Sequence, residues 1–529
     1  MDAPDIDVSS VDAGAEDDPA TPTDGRPRRS PWSTIGRAAP TTVVLCLLVA
    51  IAVRRYLAPT NADALLPSLM STQRWTVFYW GQDRLANVVP LLTMPIRDPI
   101  WNFRFQTMLI AGAFFGTGAA FVSFHAWARG LRIGGFEHAA ATLIAGLIVM
   151  VPFHTGTGYR FAVEQLYFVS VLSWIGASWL WTGRRYVIAA VLLVGATFLN
   201  PSLLAVSPLI WLLDADASQR LRRSVAFVAA SAVAFVLTDV VGALVDTGPD
   251  VDYPYDEFRW SRVEEGMREV SGNVAGSVRD NLATVIVVLT VIVVAITAKH
   301  VRRRALAVYA VVPLFAGAWF VAFSANAWIE QNLYEYRYFY PLYVTFMLYV
   351  AAATTELVLG TRSLRSRTTA GETNDVPTAD EIDTADEWRR TRALGAAGLA
   401  GVVVAVVATI IVVHRTEVPL LEQSEVYVDA AEHFDADLVA GNYWSVWPAV
   451  VAGRSAGVDL IGVTYRSDPI EDEIRDVVDR TGDSGLAVVC AGVGSDDCAR
   501  RLGDWSGRAW HVDQQLQEWP LVIRVVPAG

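Results

Sequence analysis

A carboxylate and a guanidinium stand side by side, as Asp83 and Arg84, at the end of the aromatic-rich stretch Trp75 to Arg84. The stretch includes Tyr79 and Trp80, and it falls in a polar interval between two apolar runs long enough to cross a bilayer. Aromatic residues in such intervals usually anchor a protein at the membrane interface, but an adjacent acid and base are more specific. A positioned carboxylate can take a proton from a hydroxyl group, so Asp83 is predicted to act as a general base.

Two alternatives to this role for Asp83 stay open. Its side chain can instead cap the short apolar segment 85–94, which is predicted to be a helix lying in the plane of the membrane interface. Asp63 and Asp98 lie in the same interval and are further candidates for the base.

A second group of charged and aromatic residues, Glu330, Tyr334 and Arg337, precedes a later apolar run. If the segment is helical, these residues share one face because their spacing is i, i+4, i+7. Arg337 beside Tyr334 suits a phosphate group at membrane depth, since a guanidinium binds phosphate oxygens in a fork. The alternative is an aromatic belt with one arginine that reaches to the interface.

Ionisable residues in or beside apolar runs are costly there and tend to be functional. Glu164 lies at the predicted mouth of a helix close to Arg160, and Asp239 lies about two-thirds along its apolar run. The loop 246–281 is acidic and could bind a divalent cation, although a solvated charged surface is the preferred interpretation. No second histidine lies at metal-ligand spacing from His154, so no metal site is predicted.

These candidates need a membrane scaffold to hold them. Apolar residues make up 53% of the chain, the mean hydropathy is +0.34, and the apolar residues come in blocks. The composition therefore predicts a polytopic α-helical membrane protein with about eleven transmembrane helices. The apolar runs cover about 39–57, 106–127, 136–153, 163–182, 186–199, 201–214, 224–245, 282–298, 305–324, 338–358 and 393–413. The two on either side of Asn200 have only ~14 residues, which is short for a full crossing.

The arginines predict the orientation. Five alternate loops are rich in arginine, with one lysine among them, and by the positive-inside rule they face the cytoplasm with the N-terminal tail. The C-terminus is then extracytoplasmic, and the protein is predicted to lie in the plasma (inner) membrane. The predicted domains are a disordered tail (1–37), a transmembrane domain (38–413) with outer loops 58–105 and 246–281, and an outer domain (414–529). The net charge of −13 arises mainly in the tails and one loop, and no nucleic-acid partner is expected.

From residue 416 onward, short apolar strands alternate with polar helices, a pattern typical of a small α/β domain. Strands are predicted near 437–440, 458–464, 486–490 and 521–526, and helices near 445–454, 469–480 and 496–503. Cys490 and Cys498 lie in this domain. A disulfide between them is plausible if the domain is outside the cell, and two free thiols are expected if it is inside.

The arrangement as a whole resembles the C-type (GT-C) integral membrane glycosyltransferases. The resemblance covers 39–413, with its long first outer loop, and Asn326 to Pro341 is similar to an Arg-Tyr…Pro element of many bacterial members. It implies a polyprenyl-phosphate-linked sugar as donor, and a cell-envelope glycan, lipid or protein as acceptor. It also implies that an acidic residue of the first outer loop is the base. That role falls on Asp83, and Arg337 with Arg84 or Arg160 would neutralise the lipid phosphate.

Further expectations follow from this hypothesis of an inverting transferase on the outer face. Tyr79, Trp80 or Trp444 would stack on sugar rings, and Glu164 and Tyr334 would contact the substrate. Two rival functions remain: a transporter or flippase of a lipid-linked or small polar substrate, and a non-catalytic membrane scaffold. Internal repeats would favour transport, and no convincing repeat relates the two halves of the sequence.

Overall fold

The computed structural model describes residues 31–58, 60–80, 85–150, 162, 164, 166–214, 218–245, 257–280, 289, 293, 303–369, 384–482 and 484–528. Helices dominate the chain up to residue 415. They are α1 (Pro31–Tyr56), α2 (Ala62–Thr72), α3 (Val88–Thr93), α4 (Pro99–Ala128), α5 (Gly135–Met150), α6 (Tyr167–Thr182), α7 (Tyr186–Leu199), α8 (Ile210–Leu213), α9 (Arg220–Leu244), α10 (Val263–Asp280), α11 (Arg303–Ser324), α12 (Ala327–Gln331), α13 (Tyr340–Thr369) and α14 (Thr384–Arg415). Short 3-10 turns span Pro201–Ala205, Ser207–Leu209, Trp260–Arg262 and Tyr336–Phe339.

Five helices in the described ranges are long and apolar enough to cross a membrane: α1, α4, α9, the first part of α13 and the second part of α14. Four shorter apolar helices accompany them: α5, α7, the segment Pro201–Leu212 and the end of α11. The protein is therefore a helical membrane protein, and the about eleven crossings predicted from the sequence are not all present as long helices. The run predicted at 282–298 lies almost wholly outside the described residues.

The structure differs from the sequence prediction at the start of the first helix and in the second member of the short pair. The tail predicted to be disordered to residue 37 already becomes helical at Pro31. The second member of the short pair, 201–214, is broken into 3-10 turns and α8, because Pro201 and Pro208 interrupt regular helix hydrogen bonding. The helix predicted for 85–94 is present as α3.

The long helices include two pairs in which both members run parallel. Gly395 and Gly398 of α14 face Trp32 and Ala39 of α1, where a Cβ on either glycine would lie within 2.9 Å of its neighbour. The contacts advance together along both helices, so α1 and α14 run parallel, and glycine is what permits their close approach.

A second parallel pair is formed by α4 and α13. The Phe114 and Tyr343 rings are 6.0 Å apart, and further along both helices His125 Nε2 lies 2.8 Å from Glu356 Oε1. Because α4 starts directly after the first loop, the start of α13 lies at the same end of the bundle as that loop.

Residues 419–528 form an α/β domain, as predicted. Its elements are α15 (Pro419–Phe434), β1 (Leu438–Gly441), α16 (Tyr443–Ala456), β2 (Ile461–Val463), a 3-10 turn (Asp468–Ile470), α17 (Glu471–Thr481), β3 (Leu486–Ala491), α18 (Ser495–Ser506), β4 (Trp510–Glu518) and β5 (Leu521–Pro527). The sheet order is β2-β1-β3-β5-β4, with β1, β2 and β3 parallel and β5 antiparallel to both neighbours. Strand β4 was not predicted, because its polar, half-exposed sequence lacks the apolar run of a buried strand.

Cys490 at the end of β3 and Cys498 in α18 are joined by a disulfide, with their Cα atoms 5.7 Å apart. Both sulfur-bearing side chains are buried in the domain core. Of the two states left open by the sequence, the structure has the bonded one.

The α/β domain packs directly on the first loop and the start of α4. The Ile100 backbone N–H donates to Ser455 Oγ at 3.3 Å, and Gln73 Nε2 donates to Glu473 Oε2 at 2.5 Å. The rings of Trp80 and Trp447 meet edge to face with centroids 5.6 Å apart. This interface positions the candidate site described next.

Candidate functional site at the junction of the first loop and the C-terminal domain

Asp63 is the acidic residue of the first loop whose side chain contacts the α/β domain among the described residues. Asn61 caps α2 by accepting a hydrogen bond from the Ala64 N–H at 3.2 Å, so Asp63 lies in the first helical turn. The partial positive charge of the helix N-terminus favours a carboxylate there. Asp63 Oδ1 accepts a hydrogen bond from the Tyr443 hydroxyl at 2.8 Å, across the interface with the α/β domain.

Tyr79 brings a second hydroxyl to the same point. Its O–H donates to the Asp63 carbonyl oxygen at 3.1 Å and lies 3.3 Å from the Tyr443 hydroxyl oxygen. The loop around it is held by the backbone: the Tyr79 N–H donates to the Leu85 carbonyl, and the Ala86 N–H donates to the Phe198 carbonyl. Tyr79 and Leu85, on the two sides of 81–84, are thus joined to each other, and Ala86 is joined to the end of α7.

The α/β domain contributes from the carboxyl ends of its parallel strands. Gly441 ends β1 at φ +147°, where a Cβ would overlap the Ala491 carbonyl, so glycine is required at this close approach. Asn442 then caps α16 by accepting from the Trp444 N–H at 2.9 Å, which puts Tyr443 at the first helical position. In open α/β sheets, ligands bind outside this same edge.

Arg466 follows β2 at the same edge. Its guanidinium carbon lies 5.2 Å from the ring centroid of Tyr443, 5.3 Å from that of Tyr465 and 6.0 Å from that of Tyr79. These distances are within the range of cation–π attraction. We refer to Asp63, Tyr79, Tyr443 and Arg466 as the junction cluster.

Burial raises the pKa of Tyr79 and of Tyr443 well above the ordinary tyrosine value, and the negative charge of Asp63 raises both further. Arg466 opposes this shift for both hydroxyls. Both phenols therefore stay protonated at neutral pH and act as hydrogen-bond donors beside the Asp63 carboxylate.

Glu164, a residue singled out from the sequence, is buried and lies close enough to Tyr79 that its charge also raises the Tyr79 pKa. Tyr79 itself is within the junction cluster. Trp80 is only 1% exposed, packs on Trp447 and donates its indole N–H to the Arg74 carbonyl at 3.2 Å. Its ring supports the loop and is not presented to a substrate.

The second sequence group does not form the shared face expected of a helix. The chain leaves α12 after Gln331, and Leu333 and Tyr334 both take positive φ angles. Tyr334 packs in a separate apolar cluster with Val270, Ile329 and Phe339, and Glu330 pairs with Arg262. The i, i+4, i+7 spacing is therefore interrupted by a turn, and Tyr334 is a packing residue of that cluster.

Several predicted site residues fall where the structure gives no side chain. Asp83, Arg84 and Arg160 lie outside the described residues. Arg337 lies in the 3-10 turn Tyr336–Phe339 before α13, but its side chain is not among those described. The predicted meeting of Asp83 with Arg337 stays a prediction.

The remaining acidic candidates have other surroundings. Asp98 caps α4 by accepting from the Trp101 N–H at 2.7 Å. Asp239 is exposed on the outer face of α9 rather than inside the bundle. The acidic residues 246–256 lie outside the described ranges, and no group of three or more His, Cys, Asp or Glu residues in the described part is arranged to hold a metal ion.

Sequence reasoning assigned no role to Tyr443, Tyr465 and Arg466. The available signal was their position directly after two predicted strands, because parallel strands bring their carboxyl ends to one edge. It also missed a buried charged cluster between α4 and α13. There Glu356 accepts from Arg129 and lies 2.8 Å from His125 Nε2, and an acid within an apolar run was the signal.

Compared with known proteins, the chain matches no protein-family model, and no curated protein sequence is significantly similar to it. The function is therefore inferred from the chemistry of these residues.

Proposed function

We propose that the protein is a membrane glycosyltransferase that moves a sugar from a polyprenyl-phosphate donor to an acceptor on the outer face of the membrane. The observation that carries the proposal is the contact of Asp63 with Tyr443. It puts a carboxylate of the first loop beneath the ligand-binding edge of an α/β domain, at one end of an apolar helical bundle.

Asp63 is the proposed base. Its carboxylate takes the proton of an acceptor hydroxyl, the hydroxyl oxygen forms a bond to the sugar C1, and the C1–oxygen bond to the lipid phosphate breaks. The phosphate leaves with the bonding electron pair, and the configuration at C1 is inverted. Tyr443 holds the carboxylate in place by donating to Asp63 Oδ1, and Tyr79 donates to the Asp63 backbone carbonyl.

Asp83 belongs to the same loop and is the other candidate for the base. Tyr79, four residues before Asp83 in the sequence, belongs to the junction cluster. Mutating each carboxylate in turn can show which of the two is the base.

An outer location for the site is supported by two features. The helix directions put the first loop and the α/β domain at the end of the bundle opposite to the arginine-bearing turn after α4. The Cys490–Cys498 disulfide suits an oxidising compartment outside the cytoplasm.

The test uses the purified full-length chain in detergent with a panel of labelled polyprenyl-phosphate sugars and a membrane-envelope extract as acceptor. Asp63→Asn should lower transfer by about 10²–10⁴-fold, the usual range for loss of a general base. Asp98→Asn is the matched control, because asparagine caps a helix as well as aspartate does and Asp98 lies outside the cluster.

The alternatives give different results. Loss of transfer in Asp83→Asn with full activity in Asp63→Asn would move the base to Asp83. Full activity in both variants, or no transfer from any donor by the wild-type protein, would contradict the proposal.

One observation favours the rival function of a transporter. His125, Arg129 and Glu356 form a buried charged cluster between two membrane-crossing helices, where charged residues often line a substrate path. Substrate uptake into vesicles containing the protein, lost in Glu356→Gln and unaffected by Asp63→Asn, would support transport over transfer.

A further inference from the structure

Two large aromatic side chains stay open to solvent at the edge of the sheet where the junction cluster lies. Trp444 is 46% exposed and Tyr465 is 49% exposed. Between them lies Tyr443, which is only 2% exposed. Exposed aromatic groups that adjoin a buried polar cluster are typical of binding sites.

The three rings lie side by side with different planes, and we call the angled aromatic surface that they form the cleft. The Tyr443 and Trp444 centroids are 5.1 Å apart with the planes at 84°, and those of Tyr443 and Tyr465 are 5.5 Å apart with the planes at 39°. A flat ligand lying on one exposed ring is thus flanked by a second ring at an angle.

Polar and charged groups adjoin the cleft. The Tyr443 hydroxyl donates to Asp63, and the Arg466 guanidinium lies 5.3 Å from the Tyr465 ring centroid. Aromatic faces beside hydrogen-bonding groups suit a molecule with apolar faces and a polar rim. A pyranose or furanose ring has this construction, with C–H groups on its faces and hydroxyl groups around its edge.

We infer that this cleft binds the acceptor, and that the acceptor is a saccharide chain. The inference names the acceptor class of the transferase proposed above and rests on that function. A sugar stacked on Trp444 or Tyr465 would direct a hydroxyl group toward Asp63. Tyr443 connects the two, because its ring belongs to the cleft and its hydroxyl donates to Asp63.

The neighbouring charges favour a saccharide over the lipid surface as the occupant. An aromatic anchor at the membrane interface needs only an amphipathic ring. Here the rings surround a guanidinium and adjoin a carboxylate, and these two groups match the hydroxyl groups of a sugar.

The experiment is isothermal titration calorimetry on the full-length protein in detergent, with no donor present. The probes are gluco-, manno-, galacto- and arabino-oligosaccharides and an oligogalacturonate. At least one probe is expected to bind, and Trp444→Ala and Tyr465→Ala should each weaken that affinity by about 10-fold, which is the loss of one aromatic stacking contact.

Trp260→Ala is the matched control, because Trp260 is also an exposed tryptophan but belongs to the turn before α10. The inference is overturned if no probe binds, or if Trp260→Ala weakens binding as much as Trp444→Ala does. It is also overturned if Trp444→Ala alters only the association with lipid vesicles. Since calorimetry needs no turnover, failure of the transfer assay is a separate result from failure of saccharide binding.

Discussion

The protein holds a carboxylate in two contrasting ways. Inside the bundle, Glu356 is buried and meets two basic side chains, His125 and Arg129. At the junction, the Asp63 carboxylate accepts from the Tyr443 hydroxyl and the Asp63 backbone carbonyl accepts from the Tyr79 hydroxyl, with the guanidinium of Arg466 held over the tyrosine rings.

The partners of each carboxylate indicate its role. A carboxylate paired with a buried cation joins the helices that carry the two groups, because separating the charges would leave each of them unpaired in an apolar medium. A carboxylate that accepts a hydrogen bond from a tyrosine hydroxyl can also accept a proton from a substrate. We therefore expect Glu356 to matter chiefly for stability and Asp63 chiefly for activity.

The largest expected effect is on Glu356. Glu356→Gln should destabilise the protein by about 3–5 kcal/mol, because Arg129 is left as an uncompensated buried charge. Thermal unfolding in detergent measures this loss. The double variant Glu356→Gln, Arg129→Met should recover part of it, and a destabilisation by Asp63→Asn equal to that by Glu356→Gln would remove the distinction between the two regions.

The next largest effect should be confined to the α/β domain and leave the bundle unchanged. Reduction of the Cys490–Cys498 disulfide should destabilise the domain by about 2–3 kcal/mol, the chain-entropy value for a loop closed by a bond eight residues apart. Limited proteolysis with and without a reducing agent measures the change. Cleavage should increase after residue 415 and stay constant within the bundle, and a Cys46→Ala background excludes the remaining thiol.

A smaller effect concerns the contact that joins the two domains. Tyr443→Phe removes the hydroxyl that donates to Asp63. It should lower the free energy of unfolding by about 1.5 kcal/mol, since hydrogen bonds to charged groups are stronger than neutral ones. Transfer activity should fall as well, whereas the contribution of Glu356 to the stability of the bundle should be unchanged. Tyr427→Phe, on a helix of the same domain, serves as the control for removal of a tyrosine hydroxyl.

The smallest effect appears only at high pH. Since burial raises the pKa of Tyr443 above its unfolded value of about 10, the folded protein keeps a proton that the unfolded chain loses. The contribution of this group to stability should therefore be constant below pH ~10 and fall as the pH rises further, by up to ~1.4 kcal/mol per pH unit. Above pH ~10, the free energy of unfolding of Tyr443→Phe should fall less steeply with pH than that of the wild type. The same slope in both proteins would contradict the burial of this hydroxyl.

The predictable parts of the protein are those governed by local pattern. The apolar runs predicted α1, α4 and α13, because a membrane-crossing helix must satisfy its backbone internally and expose apolar side chains to lipid. The alternation of strands and helices likewise predicted the α/β domain. Local pattern failed at 330–337, where the spacing suggested one helix but the chain turns at Leu333 and Tyr334.

The candidate site could be predicted only in part, because its residues come from distant segments. Tyr79 and Glu164 were selected from the sequence, and Asp63 was considered as an alternative base. Tyr443 and Arg466 could not be added, since nothing local indicates which edge of the α/β domain packs on which loop.

The sequence by itself determined that this is a helical membrane protein with an α/β domain after the last crossing, since hydropathy and periodicity are properties of neighbouring residues. Only the tertiary structure decided which carboxylate meets which partner. Asp63 and Tyr443 are 380 residues apart in the sequence, and their contact exists because the carboxyl edge of the sheet packs against the start of α2. Such a contact depends on how the two surfaces fit together, and no short stretch of sequence encodes that fit.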